Sequence, residues 1–392
     1  MGHGGAHWRG PWGAAFLGAA RRKAAHRMLN RLLSHDLPRN RWLALLLVAC
    51  LLGLAFTPFL FHGTKALNVA AKIIVFIVLV ASFDLLLGYT GIVSFAHTMF
   101  FGIGAYGVAI ASTRLGTGWG ALALGIAAAL VASLVLSLLI GLFSLRVKAI
   151  FFAMITLAVA SAFLTLASQL SEFTGGEDGL TFKVPEALQP GTSYLDAPLL
   201  GAAIDGRFVT YYLLFFAALA LVLALLRIVN SPFGRVLQAI RENDFRAEAI
   251  GYRTVVYRTL SNVLSALFAT LAGVLLALWL RYTGPDTTLS FEIMLDVLLI
   301  VVIGGMGTVY GAVIGSVLFV LAQSYLQDLM KLASLQLQSA VESMPLLSQL
   351  ISPDRWLLWL GILFVLSVYH FPSGVVGRLR AMGTPRKAKE KP

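Results

Sequence analysis

Ten apolar stretches, each long enough to cross a lipid bilayer, constrain this chain more than any other feature. They run over residues 42–61, 67–87, 91–112, 120–144, 149–169, 209–229, 257–280, 292–308, 310–327 and 355–371. At a rise of 1.5 Å per residue, about 20 helical residues cover a hydrocarbon core of about 30 Å. Backbone amides in lipid must pair within their own segment, and no alternating barrel-type strands are visible, so the stretches read as helices. Composition supports this. Of 392 residues, 58% are hydrophobic and 12% charged, whereas soluble domains carry about 25% charged residues. An ordinary water-soluble enzyme and a disordered chain are both excluded. The fold class is an all-α polytopic membrane protein.

The charges orient the spans, because basic residues concentrate in cytoplasmic loops. Eight lie in residues 1–41, two (Arg146 and Lys148) in the link after the fourth span, six in the loop after the sixth, and six in the 372–392 tail. These make 22 of the 30 basic residues, and seven others fall on the opposite side. Lys72, within the second span, completes the set. With ten spans, both termini are expected in the cytoplasm. The net charge of +12 then marks topology and anionic lipid, not nucleic acid.

Besides the 372–392 tail, three segments flank or interrupt the 42–371 membrane domain. Residues 1–41 form a basic leader whose Met28, Leu29, Leu32 and Leu33 share one helical face, which suits either an interfacial helix or a loose segment. The 170–208 loop carries Glu172, Glu177, Asp178, Glu186, Asp196 and Asp205. It is expected outside, as an ordered cap or a solvated acidic loop. The third is the cytoplasmic loop 230–256.

That loop has the clearest local signals. Ser231 can cap a helix and Pro232 suits its first turn. Phe233, Val236, Leu237 and Ile240 then build one apolar face. Asn243 or Asp244 can cap a second short helix, and Gly251 can end it in a left-handed conformation. The apolar face of this helix–turn–helix needs a groove, in this chain or in another.

Several chemistries are missing. There is no G-x-x-x-x-G-K-[ST] phosphate loop, no H-E-x-x-H and no G-x-S-x-G. The single cysteine, Cys50, forms no internal disulfide, and no Cys/His spacing suits a metal. No cofactor is expected. Gly102-Ile-Gly104-Ala-Tyr-Gly107 satisfies G-x-G-x-x-G but lies inside an apolar run, where close helix packing explains it better than a dinucleotide. Gly307, Gly311 and Gly315 repeat every four residues and are expected on one helix face at a packing interface. Glycine clusters five spans apart suggest two related halves of five spans. Asp84, Ser94, His97 and Asp296 are polar at membrane depth and are candidates for a pathway.

These pieces together are familiar. Gly88-Tyr-Thr-Gly-Ile-Val-Ser-Phe-Ala-His97 with Phe101-Gly-Ile-Gly-Ala-Tyr106, Thr174-Gly-Gly-Glu-Asp-Gly-Leu180, Gly234-Arg-Val-Leu-Gln-Ala-Ile-Arg-Glu-Asn243 through Gly251, and Gly304-Gly-Met-Gly-Thr-Val-Tyr-Gly311 resemble the branched-chain amino acid ABC transporter permease family (LivM-like). The resemblance spans about residues 66–375. It implies that 231–251 is the coupling helix docking into a cytoplasmic ATPase, with Gly234, Arg235, Arg241, Glu242, Asn243 and Gly251 as coupling positions. It also implies a second, LivH-like permease subunit, two ATP-binding cassette subunits and a periplasmic substrate-binding protein, in the cell inner membrane. The chain itself would be no enzyme. Cargo would be branched-chain or related hydrophobic amino acids, with urea, short amides or aromatic acids as family alternatives. An ion-coupled secondary transporter would instead use Asp84, Asp296 or His97. A membrane-embedded transferase would need a second catalytic group beside His97, and none is convincing.

Overall fold

The computed structural model describes residues 40–61, 63–144, 149–194, 204–336 and 355–383. Expectations for the leader, for Arg146 and Lys148, and for the end of the tail lie outside these residues. The elements in chain order are α1 (Arg41–Leu60), α2 (Thr64–Asp84) with a π-helical turn (Leu85–Thr90), α3 (His97–Leu115), α4 (Trp119–Ser144) and α5 (Ala149–Gln169). A loop with the short strand β1 (Leu180–Thr181) leads to α6 (Gly206–Val229), α7 (Pro232–Glu242), α8 (Asp244–Ala249) and α9 (Thr254–Leu280). Then follow β2 (Tyr282–Thr283), α10 (Phe291–Gly304), α11 (Val309–Gln336), α12 (Trp356–His370) and α13 (Gly374–Gly383).

Among the described residues, nine helical segments are long and apolar enough to cross a membrane. The stretch expected as the third span differs from its prediction. Residues 91–96 are not helical, and the helix starts only at His97. Polar His97, Thr98, Ser112 and Thr113 and three glycines make α3 less apolar than its neighbours. It is tolerated because it is covered by protein on most of its length. A non-helical backbone at membrane depth is stable when buried in this way.

Burial sorts the helices into layers. In the α2 segment 94% of the most apolar stretch is buried inside the protein, against 17% in α1 and 22% in α5. Helices α2, α3 and α9 thus form the centre, and α9 lies against α3, α4 and α2. The outer helices turn residues such as Leu124, Phe143, Ile150 and Val365 outward. A helix apolar on all sides with so little protein cover requires lipid or another apolar partner.

Glycine lets the central helices touch backbone to backbone. A Cβ on Gly104 would overlap the Thr270 carbonyl, and one on Gly273 would overlap the Phe101 carbonyl. Gly102 faces Leu289, and Gly107 faces Ala129 and the Gly125 carbonyl. The G-x-G-x-x-G pattern is thus three separate packing contacts. Side-chain hydrogen bonds add direction. Ser265 Oγ donates to the Ser82 carbonyl at 2.6 Å, Asn262 Nδ2 to the Ser137 carbonyl at 2.9 Å, and Thr270 Oγ1 to Ser133 Oγ at 2.6 Å.

Pro58 sits inside α1 and supplies no N–H to the carbonyl four residues back, Leu54. Tyr211 Oη donates to that carbonyl at 2.5 Å, and Tyr212 Oη donates to Ala55 O at 2.7 Å. The proline break in α1 is therefore repaired by α6. Within the 170–208 loop, β1 pairs with β2 antiparallel, Leu180 opposite Thr283, so the described part of this loop is ordered against the α9–α10 connection.

Gly104→Val should abolish monodisperse protein in detergent, measured by size-exclusion chromatography, because α3 and α9 can no longer close. Gly53→Val, at a position with open space around it, should behave as wild type.

Candidate functional site

The helix–turn–helix forms where its signals lie. Ser231 Oγ accepts from the Gly234 amide at 3.5 Å and Pro232 opens α7. Asn243 Oδ1 accepts from the Arg246 amide at 2.9 Å and starts α8. Gly251 follows with φ +97°.

Its apolar face has a destination within this chain. Leu237 and Ile240 are buried, and Phe233 stacks on Tyr257 of α9 with ring centroids 5.8 Å apart. The groove is built by α6, α9 and the π-helical turn. Gly234 is part of this seat, because a Cβ there would overlap the Val229 carbonyl. What projects outward is the other side. Arg235, Glu242, Asn243 and Arg246 are exposed. Phe245 and Ile250, at 87% and 69% exposure, make an apolar tip.

Arg241 connects this module to the bundle. Its guanidinium donates through Nη1 to the Gly88 carbonyl in the π-helical turn. A π-helical turn departs from regular i→i−4 pairing, and such turns are frequent at functional sites. One turn before Gly88, Asp84 Oδ1 accepts from the Gly307 amide at 2.8 Å. Gly307 lies between α10 and α11 with φ +78°, a conformation that favours glycine. Gly88 is needed as well, because a Cβ there would overlap the Asp84 carboxylate and the Gly307 nitrogen. Arg241, Gly88, Asp84 and Gly307 thus form one tie joining α7, the end of α2 and the α10–α11 turn.

The expected helix face of Gly307, Gly311 and Gly315 changes accordingly. Gly307 is in the turn before α11, so it belongs to the tie. Gly311 and Gly315 are on α11 and do pack closely, against Gly304 and against Ile300 with Gly304.

The four polar candidates separate. Asp84, Ser94 and His97 are buried in the chain. His97 Nε2 lies 2.8 Å from Ser82 Oγ, and the Ser94 hydroxyl accepts from the Ala96 amide at 3.4 Å. Only Asp296 is on a partly accessible face. It accepts from Gln323 Nε2 at 3.2 Å, and Gln323 Oε1 accepts from Lys72 Nζ at 2.9 Å. Sequence reasoning missed Gln323. A polar amide within the apolar α11 was the available signal. Phe245 and Ile250 were also missed, because a helix of six residues is too short for apolar periodicity to single out an exposed face. Among the described residues no group of three His, Cys, Asp or Glu could hold a metal ion.

Residues 65–367 match the family model for the branched-chain amino acid transport system permease component. The chain belongs to this family. It is a transport permease subunit of the ABC type and a multi-pass membrane protein, not an enzyme. It is 27% identical over 307 residues to the high-affinity branched-chain amino acid transport system permease protein LivM of Salmonella typhimurium, covering 75% of this chain and 71% of that one. The protein of the same description from Escherichia coli is 27% identical over 308 residues, with the same coverage. The probable branched-chain amino acid transport permease protein LivM of Methanocaldococcus jannaschii is 25% identical over 277 residues, covering 69% of this chain and 73% of that one. No solved structure matches the chain.

Hydrogen bonds to charged groups contribute about 1.5–3 kcal/mol. Arg241→Ala should therefore loosen α7 from its seat and raise amide hydrogen exchange of residues 232–242 by about tenfold or more. Exchange in α3 should stay as in wild type. Both are read by mass spectrometry on the same sample.

Proposed function

We propose that this permease forms half of the translocation pathway of a bacterial ABC importer for branched-chain or related hydrophobic amino acids. It crosses the inner membrane ten times with both termini in the cytoplasm, and its two halves of five spans are related. It works with a second permease subunit, two ATP-binding cassette subunits and a periplasmic binding protein that docks on the 170–208 side. Energy comes from those other chains, in keeping with the absence of a phosphate loop here.

The observation that carries this reading is the two-sided character of α7–α8. One side is seated on the bundle by Leu237, Ile240 and Phe233 and tied by Arg241 to Gly88. The other side presents Phe245, Ile250 and charged residues outward, uncovered among the described residues. A lever needs both properties: a firm hold on what it moves and a free grip for what moves it. ATP binding closes the ATPase pair and displaces α7–α8. The Arg241–Gly88–Asp84–Gly307 tie carries the displacement into α2 and the α10–α11 turn. These helices shift as packed bodies and expose the pathway to one side at a time.

Gly234, Arg235, Arg241, Glu242, Asn243 and Gly251 divide by role in this scheme. Gly234 and Arg241 hold the lever to the bundle. Arg235, Glu242 and Asn243 face the ATPase, and Gly251 ends the grip. Phe245→Asp tests the scheme without touching the seat. It should abolish ATP-dependent leucine uptake by the reconstituted complex and release the ATPase subunits during purification, while the permease still inserts. Uptake at the wild-type rate would contradict the reading.

A further inference from the structure

Two charged rungs bridge α2 and α11 at the end of the bundle away from α7. Lys65 pairs with Asp328. Deeper along the same seam, Lys72 reaches Gln323, and Gln323 reaches Asp296 on α10. Lys72 is eight residues into α2, which places it about 12 Å along the helix. All three side chains of this inner rung are only partly covered by the chain. A charged side chain facing the hydrocarbon is costly. This face must therefore meet water or a polar partner. Beside it lies an open surface depression of about 440 Å³ lined by Thr64, Lys65, Asn68, Val69, Lys72 and Ser324.

Gln323 indicates what the rung is complementary to. Its carbonyl oxygen accepts from the Lys72 ammonium, and its amide nitrogen donates to the Asp296 carboxylate. One side chain thus presents an acceptor to the cation and a donor to the anion. An α-amino acid carries the same pair in stronger form, a carboxylate and an ammonium on one carbon. We propose that Lys72 and Asp296 form a selection station within the permease that receives the zwitterionic head of the cargo, with Gln323 bridging the two charges while the station is empty. Lys72 takes the α-carboxylate and Asp296 the α-ammonium, and the cargo arrives over the open depression that Lys72 lines. The cargo side chain finds Val69 in the wall of that depression.

The arrangement selects by charge. A neutral cargo such as urea makes no use of the opposed charges, and a monoanionic acid meets the Asp296 carboxylate as a repulsive element. The permease would then check the cargo a second time, after the binding protein. This inference rests on the importer reading above and adds a binding role for Lys72, Gln323 and Asp296.

The test uses the complete complex in proteoliposomes, with its own ATPase subunits and binding protein, radiolabelled leucine as probe, and ATP hydrolysis measured in the same vesicles. Lys72→Gln and Asp296→Asn should each lower the leucine delivered per ATP hydrolysed by about tenfold, the effect of losing one charge-assisted hydrogen bond. Lys72→Arg, which keeps the charge, should retain most of that ratio. An unchanged ratio in both charge-removing variants would overturn the station. So would a loss of the second permease subunit from the variant complexes, which would assign these charges to subunit contact. Wild-type leucine uptake that proceeds without ATP would overturn the importer reading, and the station with it.

Discussion

The hydrogen bond from the Gly307 amide to the Asp84 carboxylate holds together parts of the chain that are 223 residues apart. It joins the end of the most buried helix to the turn between α10 and α11. Around it the backbone is irregular on both sides: a π-helical turn at Leu85–Thr90 and positive φ at Gly305 and Gly307. Each irregularity frees backbone polar groups that regular helix would have paired. The carboxylate takes up one from the turn, and Arg241 takes up another from Gly88. Without these two side chains the break would leave buried polar groups unpaired, which costs about 1–3 kcal/mol per group. The tie is thus a structural necessity of the break as well as a mechanical link.

Around that junction the membrane sets the remaining rules. Apolar contact gives little drive to helix association in lipid, so close backbone packing and hydrogen bonds decide which helices meet. Gly104 against Thr270 and Gly273 against Phe101 bring α3 and α9 into contact. The Ser265, Asn262 and Thr270 hydroxyl and amide groups fix the rotation of α9 against α2 and α4. The same economy explains α1, whose proline break is filled by a tyrosine from α6.

Much of this was legible in the sequence where the cause is local. Ser231, Pro232, Asn243 and Gly251 announce the ends of α7 and α8 because capping depends on neighbours two or three residues away. Apolar length marks most of the membrane helices for the same reason. The start of α3 was misplaced by six residues, because what interrupts the helix at Gly91 is pinned by Gly307 and Arg241, which are remote in sequence. The apolar face of α7 was visible from its period, but its cover by Tyr257 and the bundle was not. Burial of Asp84 and His97, and the joining of Asp296 to Lys72 through Gln323, likewise come from tertiary contacts. A single sequence gives depth along a helix, not the direction a side chain faces.

Photocrosslinking at the α8 tip tests the central claim most directly. A benzophenone amino acid replacing Phe245 in the intact membrane complex should capture an ATP-binding cassette subunit, identified by mass spectrometry through its phosphate-loop peptide. The yield should change when nucleotide is added, because the grip moves with the motor. Capture of lipid alone, or a yield indifferent to nucleotide, would contradict the account.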